Sequence, residues 1–222
     1  MISGKRKKYS VLIVEDHSIV RMGLSMLISQ LDDMSICGEM ENGENALNFL
    51  KTSKPDIIIV DISLKDMNGL DLIKYIRRTD QVVPILVLSV FDEAFYAERA
   101  FNAGAMGYIM KQEASDVIIK AIRTVLSGEI YASEKMKSRL LKKAVGRGGE
   151  TEIINLSILT DRELQVFEFI GKGLETREIA ETLRLSVKTV DTYREHIKEK
   201  LNLKNATELI KSASQWELTR NK

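Results

Sequence analysis

The sequence predicts two domains: a five-stranded parallel α/β domain, then an all-α domain of four helices built on a helix–short turn–helix core. Three observations predict this. Over residues 9–127, short apolar runs rich in β-branched residues alternate with segments of helical length, the pattern of βα units and a parallel sheet. Those runs are continuously apolar rather than alternating, as strands covered on both faces are. From residue 160 onward the pattern is helical.

Taken in order, strands are expected at 10–14 (SVLIV), 34–40, 57–60 (IIIV), 83–88 (VPILVL) and 107–110, with helices at 18–30, 43–52, 69–79, 93–102 and 114–127. The domain so formed spans 9–127, and 128–157 reads as a partly helical linker. In it, SEKMKSRLLKKAV is a basic amphipathic helix and GRGGE at 146–150 a flexible break. The second domain spans 158–218. It opens on TDRE at 160–163, a capping box in which Thr160 caps and Glu163 reaches back. Leu164, Val166, Phe167 and Ile170 follow, and Gly171 and Gly173 end that helix. A short helix from Thr176 to Leu183, a tight turn at RLS, a longer helix from Val187 to Leu201 and a last helix over 205–216 complete it.

Composition narrows the class. With 44% apolar and 29% charged residues, the 222-residue chain is globular rather than disordered. No apolar run approaches the ~18 residues of a spanning helix. The basic start MISGKRKKYS lacks a signal-peptide core, so a cytoplasmic location and no membrane partner are expected. A single cysteine, Cys37, excludes an internal disulfide and is expected to be a small buried residue of the second strand. The net charge of +1 hides a split: residues 10–127 hold 11 basic against 17 acidic residues, whereas 184–204 hold six against three. An acidic first half and a locally basic late segment point to two kinds of partner.

In an open parallel sheet, ligands bind outside the carboxyl ends of the strands. The residues found there are Glu15 and Asp16 after the first strand, Asp61 after the third, Ser89 ending the fourth and Lys111 after the fifth. Each alone reads as an ordinary polar strand end; together they form a chemical set. Clustered carboxylates bind a hard cation such as Mg²⁺. Beside such a cation one carboxylate can attack phosphorus and form an acyl phosphate, whose oxygens a hydroxyl and an ammonium can hold.

VLIVEDHSIVRMGL, DIIIVDISLKDMNGLDLI, ILVLS and AGAMGYIMK together resemble the receiver domain of bacterial two-component response regulators, over residues 9 to about 127. The resemblance implies a flavodoxin-like fold in which Asp61 accepts a phosphoryl group from a sensor histidine kinase or a small phosphodonor. It implies that Asp16, Asp61 and the Ser63 carbonyl bind Mg²⁺, with Glu15 acting through water. It assigns Ser89 and Lys111 to sensing the phosphate and Tyr108 to an aromatic switch that moves inward. Two features depart from the pattern. Lys65 stands where relatives often carry proline, and Ser63 and Phe91, which border the phosphate, offer no base or amide to orient water, implying slow self-hydrolysis.

In the helical half, Val190, Ile197 and Leu201 form one apolar stripe, leaving Lys188, Asp191, Thr192, Glu195 and Lys198 outward. On pattern alone this is a helical interaction bundle or a helix that enters a DNA major groove. LTDRE, GKGLETREIAETLRLSVKTV and KEKLNLKNATELI resemble the LuxR-type helix-turn-helix of the NarL/FixJ subfamily. The resemblance implies binding to double-stranded DNA half-sites as a homodimer. Lys188, Thr189, Arg194, Lys198 and Lys200 are then expected on phosphates and Asp191, Thr192 and Glu195 at base edges, while Thr176 caps its helix toward a phosphate. Tyr193 stands where many relatives carry histidine. His17 reads as a local polar contact, and Trp216 as packing for the last helix. The reading is a phosphorylation-controlled transcription factor. A regulator that uses the receiver only to dimerise is the alternative, and a Mg²⁺-dependent phosphohydrolase a more distant one.

Overall fold

The computed structural model describes residues 8–145 and 156–220; the expected break at 146–150 lies outside them. Two compact units divide the chain, Met1–Gly148 and Gly149–Lys222.

The first unit alternates strands β1 (Tyr9–Val14), β2 (Met34–Met40), β3 (Ile57–Val60), β4 (Ile85–Ser89) and β5 (Gly107–Met110) with helices α1 (Ser18–Ser29), α2 (Gly43–Leu50), α3 (Gly69–Thr79), α4 (Glu93–Ala103) and α5 (Ser115–Leu126). The strands form one parallel sheet in the order β2-β1-β3-β4-β5. The central strands β3 and β4 are wholly buried, as continuous apolar runs require. Val11, Ile13, Ile59 and Leu88 on one face pack against Leu24 and Ile28 of α1 and Ile118 and Ile122 of α5. Three of these five helices have side-chain caps, from Asn42, Asn68 and Asp92, each accepting an amide of the first turn.

Two features depart from expectation. Cys37 is exposed, not buried. It lies on β2, an edge strand whose alternate residues Ser35, Cys37 and Glu39 face solvent. The stretch after α5 is also more than a tether. Tyr131 pairs beside β5: its amide donates to Met106 O at 2.9 Å and its carbonyl accepts the Tyr108 amide at 3.3 Å. Helix α6 (Glu134–Ala144) then lies against α4, with Met136 buried. Ser133 Oγ donates to Glu93 Oε1 at 2.6 Å, and the Arg139 guanidinium donates to Ala94 O at 2.6 Å.

The second unit opens with a 3₁₀ turn (Leu156–Ile158), followed by α7 (Asp161–Gly171), α8 (Thr176–Leu183), α9 (Val187–Lys200) and α10 (Ala206–Arg220). The Thr160–Glu163 capping box forms. Phe167, Val190, Ile197, Leu209 and Ala213 make the core, and the Trp216 ring sits 5.7 Å from that of Phe167. Gly171 allows α7 and α10 to approach closely, since a Cβ there would come within 2.7 Å of the Ala213 carbonyl oxygen. No helix among the described residues is long and apolar enough to cross a membrane.

Candidate functional site

Parallel pairing brings the strand ends to one rim. Val14 lies beside Val60, Val60 beside Val87, and Ser89 beside Met110. Backbone hydrogen bonds extend the register one residue further, from Asp61 N to Val14 O at 2.9 Å and from Lys111 N to Ser89 O at 2.8 Å. Glu15, Asp16, Asp61 and Ser89 therefore converge, and are only 1%, 6%, 1% and 0% exposed.

Lys111 spans the acids. Its Nζ lies 2.7 Å from Glu15 Oε2 and 2.9 Å from Asp61 Oδ2. Burial favours the neutral amine, but Asp61 and Glu15 outweigh it and hold the Lys111 pKa above its ordinary value. Asp61 is pushed up to about 6, first by burial and then by the Glu15 charge, against the opposing pull of Lys111. Asp61 Oδ1 is buried and accepts no hydrogen bond. An exposed neighbour, expected as a local polar contact, joins the cluster. His17 Nδ1 lies 2.7 Å from Asp16 Oδ1 and 3.1 Å from Glu15 Oε1. The only signal for it was its place directly after the acidic pair. One ligand atom from each of Glu15, Asp16, His17 and Asp61 falls within 4.8 Å of the others.

The loop after Asp61 bends back on itself. Ser63 pairs with Asn68, and Gly69 N donates to Ile62 O at 2.8 Å. Gly69 is required there, because a Cβ would collide with the Asp61 carbonyl. Across the rim, Ser89 Oγ accepts the Phe91 amide at 3.2 Å, and the Tyr108 hydroxyl donates to Phe91 O at 2.8 Å. Tyr108 is thus already inward, 2% exposed, where inward movement on activation was expected. Phe91 is equally buried, its ring stacked 4.6 Å from that of Tyr96. The side chain expected to border the phosphate therefore lies in the core, and the exposed residue after Ser89 is Val90.

In the second unit, Ser186 caps α9 by accepting the Thr189 amide at 3.0 Å, while Arg184 makes the preceding turn in the left-handed region at φ 53°. Lys188, Asp191, Thr192 and Glu195 face solvent. Two lysines expected on phosphates are drawn into ion pairs. Lys198 Nζ lies 2.9 Å from Glu195, and Lys200 Nζ lies 2.6 Å from the buried Glu163. Burial opposes the Glu163 charge, yet the hydrogen bonds from Lys200 and Thr160 prevail and lower its pKa. Thr176 is the first helical residue of α8, not its cap; Glu175 takes that position, its amide bonded to Glu178 at 2.7 Å. Thr176 and Arg194 line one surface pocket of about 480 Å³, together with Arg177, a cation that sequence reasoning passed over.

Comparison with known proteins agrees with this geometry. Residues 11–123 match the response regulator receiver domain, and 157–213 match the bacterial regulatory proteins of the luxR family. The chain is 35% identical over 208 residues to oxygen regulatory protein NreC of Staphylococcus epidermidis, covering 91% of this chain and 95% of that one. It is likewise 35% identical over 207 residues to NreC of Staphylococcus carnosus, with the same coverage of 91% and 95%. Among solved structures, RcsB from Salmonella enterica serovar Typhimurium, bound to promoter rprA with the phosphomimetic BeF3⁻, matches 94% of this chain and 99% of its own at TM-score 0.61 and 27% identity. With receiver and helix-turn-helix each matched in its own unit, and NreC aligned across both, the chain belongs to the two-component response regulators of the NarL/FixJ type, which are DNA-binding transcription regulators.

Proposed function

We propose that Asp61 is the phosphoacceptor and that its phosphorylation controls DNA binding by the helical unit. The buried Asp61 carboxylate carries this reading. One of its oxygens is held by Lys111 and the other accepts no hydrogen bond. A sensor histidine kinase is the expected donor. The bond from its histidine nitrogen to phosphorus breaks, the nitrogen keeps the electron pair, and an Asp61 oxygen forms the new bond to phosphorus. Lys111 then holds one phosphoryl oxygen. Ser89 Oγ already accepts the Phe91 amide, so its own proton is available to a second.

The donor set fits Mg²⁺: three buried carboxylates are opposed by one buried ammonium, and one buried oxygen is left over. Asp16, Asp61 and the Ser63 carbonyl would hold it, with Glu15 behind them; bound there, it supplies positive charge to the phosphoryl oxygens.

On DNA, Lys188, Thr189 and Arg194 are proposed at phosphates, and Asp191, Thr192 and Glu195 at base edges. Lys198 must exchange Glu195 for a phosphate, and Lys200 serves α7 instead. A homodimer on two half-sites is proposed, in line with the solved RcsB dimers bound to DNA.

The test is DNA binding by wild type and Asp61→Ala before and after beryllofluoride. Tighter binding after treatment, in wild type alone, is expected. The inward Tyr108 favours a second reading, a receiver competent without phosphate. Equal binding with and without treatment would establish that one.

A further inference from the structure

The loop Ile62–Asn68 begins next to Asp61 and carries Ser63, so its placement decides the geometry of the site. Its base is closed by its own backbone and by Asn68, which caps α3. Its tip is held by a different element. Asp66 Oδ1 accepts the Gly43 amide at 2.9 Å, and Oδ2 accepts the Glu44 amide at 2.8 Å. These are the first two amides of α2, which have no acceptor within their own helix, and a carboxylate gains there from the helix dipole as well. Asn42 takes the next amide, from Asn45, at 2.8 Å. Met67 lies over Gly43, where a Cβ would come within 2.6 Å of its sulfur. Lys65 adds an ion pair to Glu41 at 3.0 Å, but both side chains are substantially exposed, so this pair is weak. The two charge-assisted hydrogen bonds of Asp66 are the strong tie. They join the loop to a helix more than twenty residues upstream in sequence.

We propose that Asp66 is a positioning residue: by anchoring the loop tip to the N-terminus of α2, it holds Asp61 and the Ser63 carbonyl in the geometry that receives the cation and the phosphoryl group. This rests on the phosphoacceptor reading above. The anchor does by hydrogen bonding what proline at residue 65 would do by fixing the backbone.

Titration calorimetry of the full chain with Mg²⁺ alone tests it. Asp66→Ala should weaken Mg²⁺ binding about tenfold, the low end of the loss seen when partners behind metal ligands are removed. Amide exchange at Gly43 and Glu44 should accelerate. Acetyl-phosphate labelling should slow at low Mg²⁺ and recover at saturating Mg²⁺, since the reacting groups themselves are intact. Adding Lys65→Pro to Asp66→Ala should bring the affinity back to within about twofold of wild type. Asp66→Asn, which keeps one acceptor, should fall between and serves if the alanine variant does not fold. Unchanged Mg²⁺ affinity in a folded Asp66 variant overturns the inference, as does a loss that Lys65→Pro leaves in place. A wild type that binds no Mg²⁺ overturns instead the reading of the site itself.

Discussion

At the scale of single residues, Asp61 illustrates a conflict between stability and function. Its pKa is raised from 3.8 to about 6 by burial and by Glu15. The folded state therefore holds a proton more tightly than the unfolded chain does. The resulting stability is fully present below pH 3.8 and is lost as pH rises through about 6. At pH 7 without metal the ionised Asp61 is a net cost, so Asp61→Asn should stabilise the first unit by about 2–3 kcal/mol. In urea unfolding, that advantage should shrink as pH falls from 7 to 4, and added Mg²⁺ should stabilise wild type more than the variant. The position of such residues was legible in the sequence, because Glu15, Asp16, Asp61, Ser89 and Lys111 each end or follow an apolar run. Their tertiary partners were not. Asp66 to α2, Lys200 to Glu163 and Lys111 to both Glu15 and Asp61 depend on how helices, strands and loops pack, which local pattern does not encode.

At the scale of elements, periodicity located the strands and helices wherever one face or both are firmly buried. It erred where burial is partial. β2 is an edge strand, so Cys37 faces water although its neighbours are apolar. α10 runs on to Arg220, beyond the expected 216. The clearest underestimate is α6, a basic amphipathic stretch that reads as part of a linker, yet it buries Met136 and hydrogen-bonds the first turn of α4. Met136→Ala should therefore cost the first unit about 2–5 kcal/mol. Leu141→Ala, at a site 68% exposed on the same helix, should change stability by less than about 0.5 kcal/mol. Equal losses in chemical denaturation would show that α6 does not pack as described.

At the scale of the whole molecule, the sequence revealed two fold classes in one chain, since alternation and helical periodicity are properties of long stretches. It did not reveal how far the α/β unit continues past its last helix. The pairing of Tyr131 beside β5 depends on backbone groups, which leave no mark in side-chain pattern. That pairing has a consequence for solution behaviour. A sheet edge with free amides and carbonyls is a template for strands of other molecules. A chain ended at Ser127 would leave β5 as such an edge, and should show concentration-dependent light scattering that a chain ended at Val145 does not. A stretch that reads as a tether thus also keeps the β5 side of the sheet from recruiting strands of neighbouring chains.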